Sequence, residues 1–106
     1  MEQNLFNMTE NSELNQIKKQ DKMYHIACKV WFTASCIPLP LSFQFEGDDH
    51  MIQTVKNIKV KYCEDKNDSD IRFKEFGCEA ILGGIRHEFK LIYYMEVCKW
   101  VMILPL

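Results

Sequence analysis

The chain of 106 residues is long enough for one domain with its own hydrophobic core. Hydrophobic residues make up 47% of it and charged residues 26%, as in an ordinary globular protein. Its formal net charge of -2 provides no broad basic field, which disfavours double-stranded nucleic acid as a partner.

Five cysteines form no C-x-x-C pair, and an odd number does not suit a disulfide framework. Free thiols in a reducing compartment fit this pattern better. The N-terminus has no apolar core before a cleavage site, and the most apolar run, 97–104, is far shorter than the ~20 residues of a membrane-spanning helix. We therefore expect a cytoplasmic protein with no membrane association.

Residues 1–22 are rich in Asn, Gln, Glu and Lys and contain few apolar side chains. Ser12 could cap a short helix in which Leu14 and Ile17 share one side. Isolated helices of this length are marginal in water. The sequence therefore predicts a flexible or short-helical extension at 1–22, followed by a single β-barrel-like domain at 23–106.

The domain begins with alternating apolar residues over 24–32, the period of a strand with one buried face. A short link leads to a second alternating run, 37–45, whose prolines predict that its beginning lies at a sheet edge. A turn at Gly47 follows. The return run, 52–62, changes its apolar spacing midway, which predicts two strand pieces joined by a bend.

The polar stretch 64–70 consists of turn-forming residues and predicts a loop. A Gly-Gly pair at 83–84 lies between two alternating segments and predicts a tight hairpin that places Ala80 opposite His87. The last strand, within 98–104, is apolar on both faces. Six to seven strands joined by short links predict an all-β fold, either a small antiparallel β-barrel or a highly curved sheet.

With the run from Pro38 to Gly47 and the Lys99-Trp100 pair of its last strand, the chain resembles a family of small bacterial domains of unknown function. These domains carry a P-L-x-F-x-[FW]-x-G hairpin and a K-W pair in the terminal strand. The resemblance covers roughly 24–104, implies a compact β-barrel and carries no activity with it. Those domains commonly have a basic residue after the turn glycine, where this chain has Asp48. The matching residues are Pro38, Leu39, Leu41, Phe43, Phe45, Gly47, Ile52 and Val55, and later Leu91, Tyr93, Tyr94, Lys99 and Trp100.

The first functional hypothesis is a non-enzymatic protein-interaction module. An apolar terminal strand needs cover, and aromatic residues are enriched in interface cores. The cover is either a protein partner or second copy of the chain, or the N-terminal extension over a core strand. The residues predicted to form the interaction surface are Tyr94, Trp100, Val101 and Ile103.

The second hypothesis is single-stranded nucleic-acid binding, in which bases stack on aromatic rings while cations follow the phosphates. The competing interpretation, which we favour, is a solvated strand face whose lysines protect an edge. The residues of this candidate surface are Trp31, Lys56, Lys59, Lys61, Arg86 and Lys90.

The third hypothesis is an enzyme that uses His87 with a cysteine or a carboxylate. The apolar pattern around His87 favours a core histidine or one near a barrel mouth instead. Asp48, Asp49 and His50 could form the corner of a metal site, but adjacent side chains in a tight turn rarely converge, so a solvated turn is favoured. We therefore expect no cofactor and no metal.

Overall fold

The computed structural model describes residues 21–105, which form one antiparallel sheet of seven strands. The strands lie in the spatial order β3-β2-β1-β7-β6-β5-β4. No helix that could cross a membrane is present in residues 21–105. The strands are β1 (Lys22–Phe32), β2 (Pro38–Glu46), β3 (Ile52–Val55), β4 (Lys59–Asp68), β5 (Ile71–Leu82), β6 (Ile85–Tyr94) and β7 (Lys99–Leu104).

The predicted all-β fold, its antiparallel pairing and the number of strands are confirmed. The sheet is not closed, because β3 and β4 are its two edges and do not pair with each other. The extension predicted at 1–22 lies almost wholly outside the described residues, and β1 already begins at Lys22.

The predicted bend in the return strand is confirmed between β3 and β4. Each neighbouring pair in the sheet is antiparallel, so six reversals leave β3 and β4 running in the same direction. Residues 56–58 join them, and Asn57 adopts a positive φ of 57°. One nearly continuous strand therefore pairs first with β2 and then with β5, which connects the two edges of the sheet.

The larger of two clusters of buried apolar side chains lies on one face of the sheet, here called the inner face. Aromatic rings join the two halves of the sheet there, with Phe43 and Phe89 5.7 Å apart and Phe76 and Trp100 5.5 Å apart. The hairpin at Gly83–Gly84 has the predicted register, including Ala80 opposite His87. The buried members of the cluster are Phe43, Phe45, Val55, Phe76, Cys78, Ala80, Leu82, Phe89, Leu91, Trp100 and Met102.

The loop predicted at 64–70 is wrong, because β4 continues to Asp68 and leaves a two-residue turn. Ser69 and Asp70 in this turn have positive φ values of 52° and 70°, the conformation of a tight hairpin turn. The polar side chains before it belong to an edge strand and form cross-strand ion pairs such as Lys74–Asp65 at 2.6 Å. Charged residues are common on edge strands. The polar composition of this stretch, which is also typical of turns, therefore led to the wrong prediction.

Gly77 on β5 provides the space for an aromatic ring on β4. Tyr62 lies directly opposite Gly77, and a Cβ added to Gly77 would come within 1.9 Å of the Tyr62 ring. The Tyr62 hydroxyl donates a 2.7 Å hydrogen bond to Glu75, which holds the ring over the glycine. This contact fixes the face that Tyr62 occupies beside the bulge in β4.

We expect Gly77→Ala to lower the free energy of unfolding by about 1–3 kcal/mol, because the methyl group displaces the Tyr62 ring. In a Tyr62→Ala background the same substitution should stabilise the fold by about 0.5–1 kcal/mol, since a glycine in a strand then has no ring to accommodate. Urea unfolding of the four proteins measures both effects. An equal loss in both backgrounds would show that the ring contact is not the cause.

Candidate functional site

The strand β1 pairs with its two neighbours, β7 and β2, over different parts of its length. Residues 22–26 pair with β7, and residues 26–32 pair with β2. Ile26 has a partner on both sides, Phe45 and Trp100. Beyond Ile26 the side of β1 that faced β7 therefore has no neighbouring strand in the described part of the chain.

This unpaired stretch, Ala27 to Phe32, is called the β1 edge. It offers the main-chain N–H and C=O groups on which another extended chain can pair. The far side of the same hairpin differs, because β2 pairs with β3 only from Phe43 onward. Pro38 and Pro40 lie in that unpaired part of β2 and lack the N–H groups of a full ladder. The hairpin thus has one edge interrupted by prolines and one that is free of them.

An open cleft of about 760 Å³ lies where β1 and β7 separate. Its floor contains the stacked rings of Tyr93 and Trp100, whose centroids are 4.7 Å apart. Cys28 and Phe32 line it from the β1 side. The cleft therefore joins the free backbone of the β1 edge to an aromatic surface.

The tip of the β1–β2 hairpin is apolar and exposed. Trp31 is 66% exposed and Phe32 54% exposed, and Ile37 and Leu39 are exposed beside them. Trp31 and Leu39 are direct cross-strand partners, so their side chains lie on the same face. Four exposed apolar side chains together are a feature of binding surfaces rather than of ordinary solvated hairpins.

The charged side chain that lines the cleft, Lys99, is basic. His25 and Lys99 line its wall, and Lys29 is exposed in the middle of the β1 edge. No carboxylate lines this cleft among the described residues. The cleft and its rim therefore favour a ligand that is apolar, extended and acidic at one or more positions.

The four residues predicted to form an interaction surface lie on different faces. Trp100 is only 8% exposed and belongs to the inner cluster, although its ring also lines the cleft. Tyr94, Val101 and Ile103 are buried in a second cluster on the opposite, outer face. The alternation of β7 explains this separation, since residues 100 and 101 point to opposite sides of a strand.

Most cations of the predicted nucleic-acid surface are paired with carboxylates on the outer face. Lys61 lies 3.0 Å from Glu88, and this contact lowers the pKa of the Glu88 carboxyl. Arg86 lies 3.7 Å from Glu79. Lys90 lies 3.7 Å from Glu75.

The remaining members of that predicted surface are dispersed. Lys56 is exposed in the bend between β3 and β4, and Lys59 is exposed at the start of β4. Trp31 is at the tip of the β1–β2 hairpin. The structure thus groups Lys61, Arg86 and Lys90 with acidic neighbours and associates Trp31 with the β1 edge.

His87 lines a second, smaller cleft of about 390 Å³, together with Asp48 and Asp49. The Asp48 carboxylate accepts a 2.7 Å hydrogen bond from Lys22, which lowers its pKa. Asp49 accepts a hydrogen bond from the Met51 main chain at 2.9 Å. The carboxylates are thus occupied, and a lowered pKa makes Asp48 a weak general base.

The acidic turn that contains His50 does not converge on one point. His50 Nδ1 lies 2.9 Å from Glu46 Oε2, whereas Asp48 and Asp49 contact the partners given above. Among residues 21–105 no group of three or more His, Cys, Asp or Glu side chains has the arrangement to hold a metal ion.

All five cysteines have free thiols. Cys28 lines the large cleft from the inner face, and burial raises the pKa of its thiol to about 12. Burial likewise raises the pKa of Cys78 to about 12. A thiol with such a pKa is almost entirely protonated at neutral pH and makes a poor nucleophile.

Sequence reasoning missed the β1 edge as a site, although it selected Trp31 for another role. The available signal was the contrast between the proline-containing run 37–45 and the proline-free run 24–32. Comparison of the chain with protein-family models, with curated proteins and with solved structures gives no match. The resemblance to small bacterial domains stays a prediction.

We expect alkylation of the native protein by iodoacetamide at pH 8 to separate the cysteines. Cys36 and Cys98 are exposed and should react readily, whereas at a pKa of about 12 roughly one Cys28 or Cys78 thiol in ten thousand is ionised. Mass spectrometry of digested samples gives the rates, and full denaturation should equalise them. Above about pH 9 the unfolded chain releases these protons first, so alkaline pH should destabilise the fold. Rapid native labelling of Cys28 would contradict this assignment and support a catalytic thiol.

Proposed function

We propose that the protein is a cytoplasmic, non-enzymatic interaction module that binds an extended peptide segment of a partner protein along the β1 edge. The observation that carries this proposal is the unpaired stretch of β1 from Ala27 to Phe32 beside an aromatic cleft. The peptide would add a strand to β1, and its main chain would pair with the free N–H and C=O groups.

Side-chain recognition would come from the cleft and the hairpin tip. Successive side chains of an added strand alternate between two faces. Those on the inner side would meet Tyr93, Trp100 and Phe32, whereas those on the outer side would pass Trp31 and Lys29. The proposed partner sequence is therefore an alternating apolar segment with an acidic residue near Lys29 or Lys99.

Self-association through the same edge is less favourable on electrostatic grounds. Lys29 lies near the middle of the β1 edge, so antiparallel pairing of two copies would bring two ammonium groups close together. Like charges on neighbouring cross-strand positions destabilise a sheet. A partner peptide with a carboxylate at that position would form an ion pair instead.

The cytoplasmic location is supported by the cysteines. All five are free, and Cys28 and Cys78 occupy positions in or beside the inner core, where they act as small apolar side chains. Free thiols of this number are typical of a reducing compartment.

Selection from a phage-displayed library of random linear peptides tests the proposal. Selected peptides should alternate apolar residues and contain Asp or Glu, and binding should slow the exchange of main-chain amides within 27–32. Trp31→Ala or Phe32→Ala should weaken binding roughly tenfold, equivalent to about 1.4 kcal/mol. Every second main-chain N–H of an added strand points toward β1. N-methylation of those peptide residues should abolish binding, whereas N-methylation of the residues between them should leave binding unchanged.

The matched control is Ile85→Ala, because Ile85 is 63% exposed but lies at the opposite hairpin. This variant should bind as the original protein does. Failure to select any peptide, or protection of amides elsewhere than 27–32, would refute the proposal. If the amides of 27–32 became protected from exchange at high protein concentration without any peptide, two copies of the chain would be pairing with each other along the β1 edge instead of binding a partner.

A further inference from the structure

The two ends of the β1 edge differ in how they meet the rest of the sheet. At the Phe32 end the strand runs out to the exposed hairpin tip. At the Ala27 end the position beside β1 is already filled, because the preceding residue, Ile26, pairs with Trp100 of β7. A strand added to the β1 edge can therefore continue beyond Phe32, but it cannot continue past Ala27 in the plane of the sheet.

The direction of the added strand decides which of its ends lies at Ala27. Every neighbouring pair of strands in this sheet is antiparallel. A peptide that follows this pattern runs from Phe32 towards Ala27, in the same direction as β7, and its carboxyl end lies where β7 begins. A parallel peptide would place its amino end there instead.

The end of the β1 edge at Ala27 carries positive charge. Lys99, the first residue of β7, is exposed, lines the cleft and forms no ion pair with any residue of 21–105. His25 lines the same wall and can donate a hydrogen bond from its ring. Glu96, in the turn before β7, does not line the cleft. Lys99 would attract the carboxylate of a carboxyl end and repel the ammonium group of an amino end.

We propose that the β1 edge binds the free carboxyl end of a partner protein, with the terminal carboxylate at Lys99. This inference rests on the proposed function and specifies the partner segment. The last residues of the partner form the added strand, and the rest of its chain extends away beyond Phe32. A free end fits because the peptide has to stop where β7 begins. An internal segment would have to turn out of the sheet beside Ala27, and it has no terminal carboxylate.

The register of the β1–β7 ladder gives the side chains that such a segment needs. Successive residues of the two strands pair in reverse order as far as Ile26 and Trp100. Two positions further along β1, the last residue of the peptide lies opposite Cys28 and points to the inner face, where Tyr93 and Trp100 stack. The residue before it lies opposite Lys29 on the outer face. We therefore expect an apolar last residue preceded by an acidic one.

Two libraries of the same short random peptides separate this inference from the proposed function. In the first library the peptides are attached through their amino ends, so their carboxyl ends are free. In the second the attachment is reversed. The first should give the tighter binders, with an apolar last residue preceded by Asp or Glu, and these should protect the amides of 27–32.

Equal or tighter binding from the second library, with the same amides protected, would overturn the role of the carboxyl end and leave the proposed function standing. If neither library gives binders, both proposals fail.

One selected peptide, prepared as the free acid and as the carboxamide, measures the contribution of Lys99. The acid should bind about threefold to tenfold more tightly, since its carboxylate accepts a charge-assisted hydrogen bond from an exposed lysine. Lys99→Met should weaken binding of the acid and leave that of the amide unchanged. Fluorescence anisotropy of the labelled peptides gives the dissociation constants.

The matched control is Lys56→Met, because Lys56 is also exposed but lies in the bend between β3 and β4 and does not line the cleft. This variant should preserve the difference between acid and amide. Equal affinities of the two peptides for the original protein, or an equal effect of Lys99→Met on both, would show that no terminal carboxylate is recognised at Lys99.

Discussion

The staggered pairing of β1 is the constraint on which the rest of the structure depends. Its first residues pair with β7, at the other end of the chain, and its later residues pair with β2. The first ladder joins the sequence-distant halves of the sheet, and the second holds the hairpin that projects beyond β7. Because the two ladders overlap only at Ile26, joining the halves leaves Ala27 to Phe32 unpaired on one side. The cleft beside Trp100 is the space that β7 does not fill.

The same constraint explains why β7 is apolar on both faces. On its inner side Trp100 and Met102 complete the core, and on its outer side Val101 and Ile103 belong to the second cluster, on the outer face. A central strand of a sheet is apolar on both sides when both faces of the sheet are buried at that strand. The sequence showed clearly that both faces of β7 are apolar. It did not show that neighbouring residues of β7 belong to two separate clusters. This is why one predicted surface divides into residues that never meet.

Local patterns predicted the local structure well. The register at Gly83–Gly84 follows from a two-residue turn and one apolar face, both readable within some twenty residues. The bend at 56–58 followed from a change in spacing. The failures share a cause, which is that each depends on pairing with another strand. The extent of β4 depends on its pairing with β5, and the stagger of β1 depends on pairing with residues of β7 that are 74 to 82 positions away in the sequence. No periodicity within one strand encodes such a register.

The strand edges of this sheet differ in how well they discourage pairing with another chain, and this difference supports the proposed site. β3 is only four residues long, and β4 carries exposed lysines and a bulge, all features that discourage pairing with another chain. The unpaired part of β2 contains two prolines. In contrast, the β1 edge has no proline, a single lysine and two exposed aromatic side chains. An edge of that composition carries a risk of unspecific pairing. We infer that it persists here because a partner strand uses it. Ile85 to Phe89 of β6 also has no partner on the β7 side, but that stretch carries the charged residues Arg86 and Glu88, which discourage pairing.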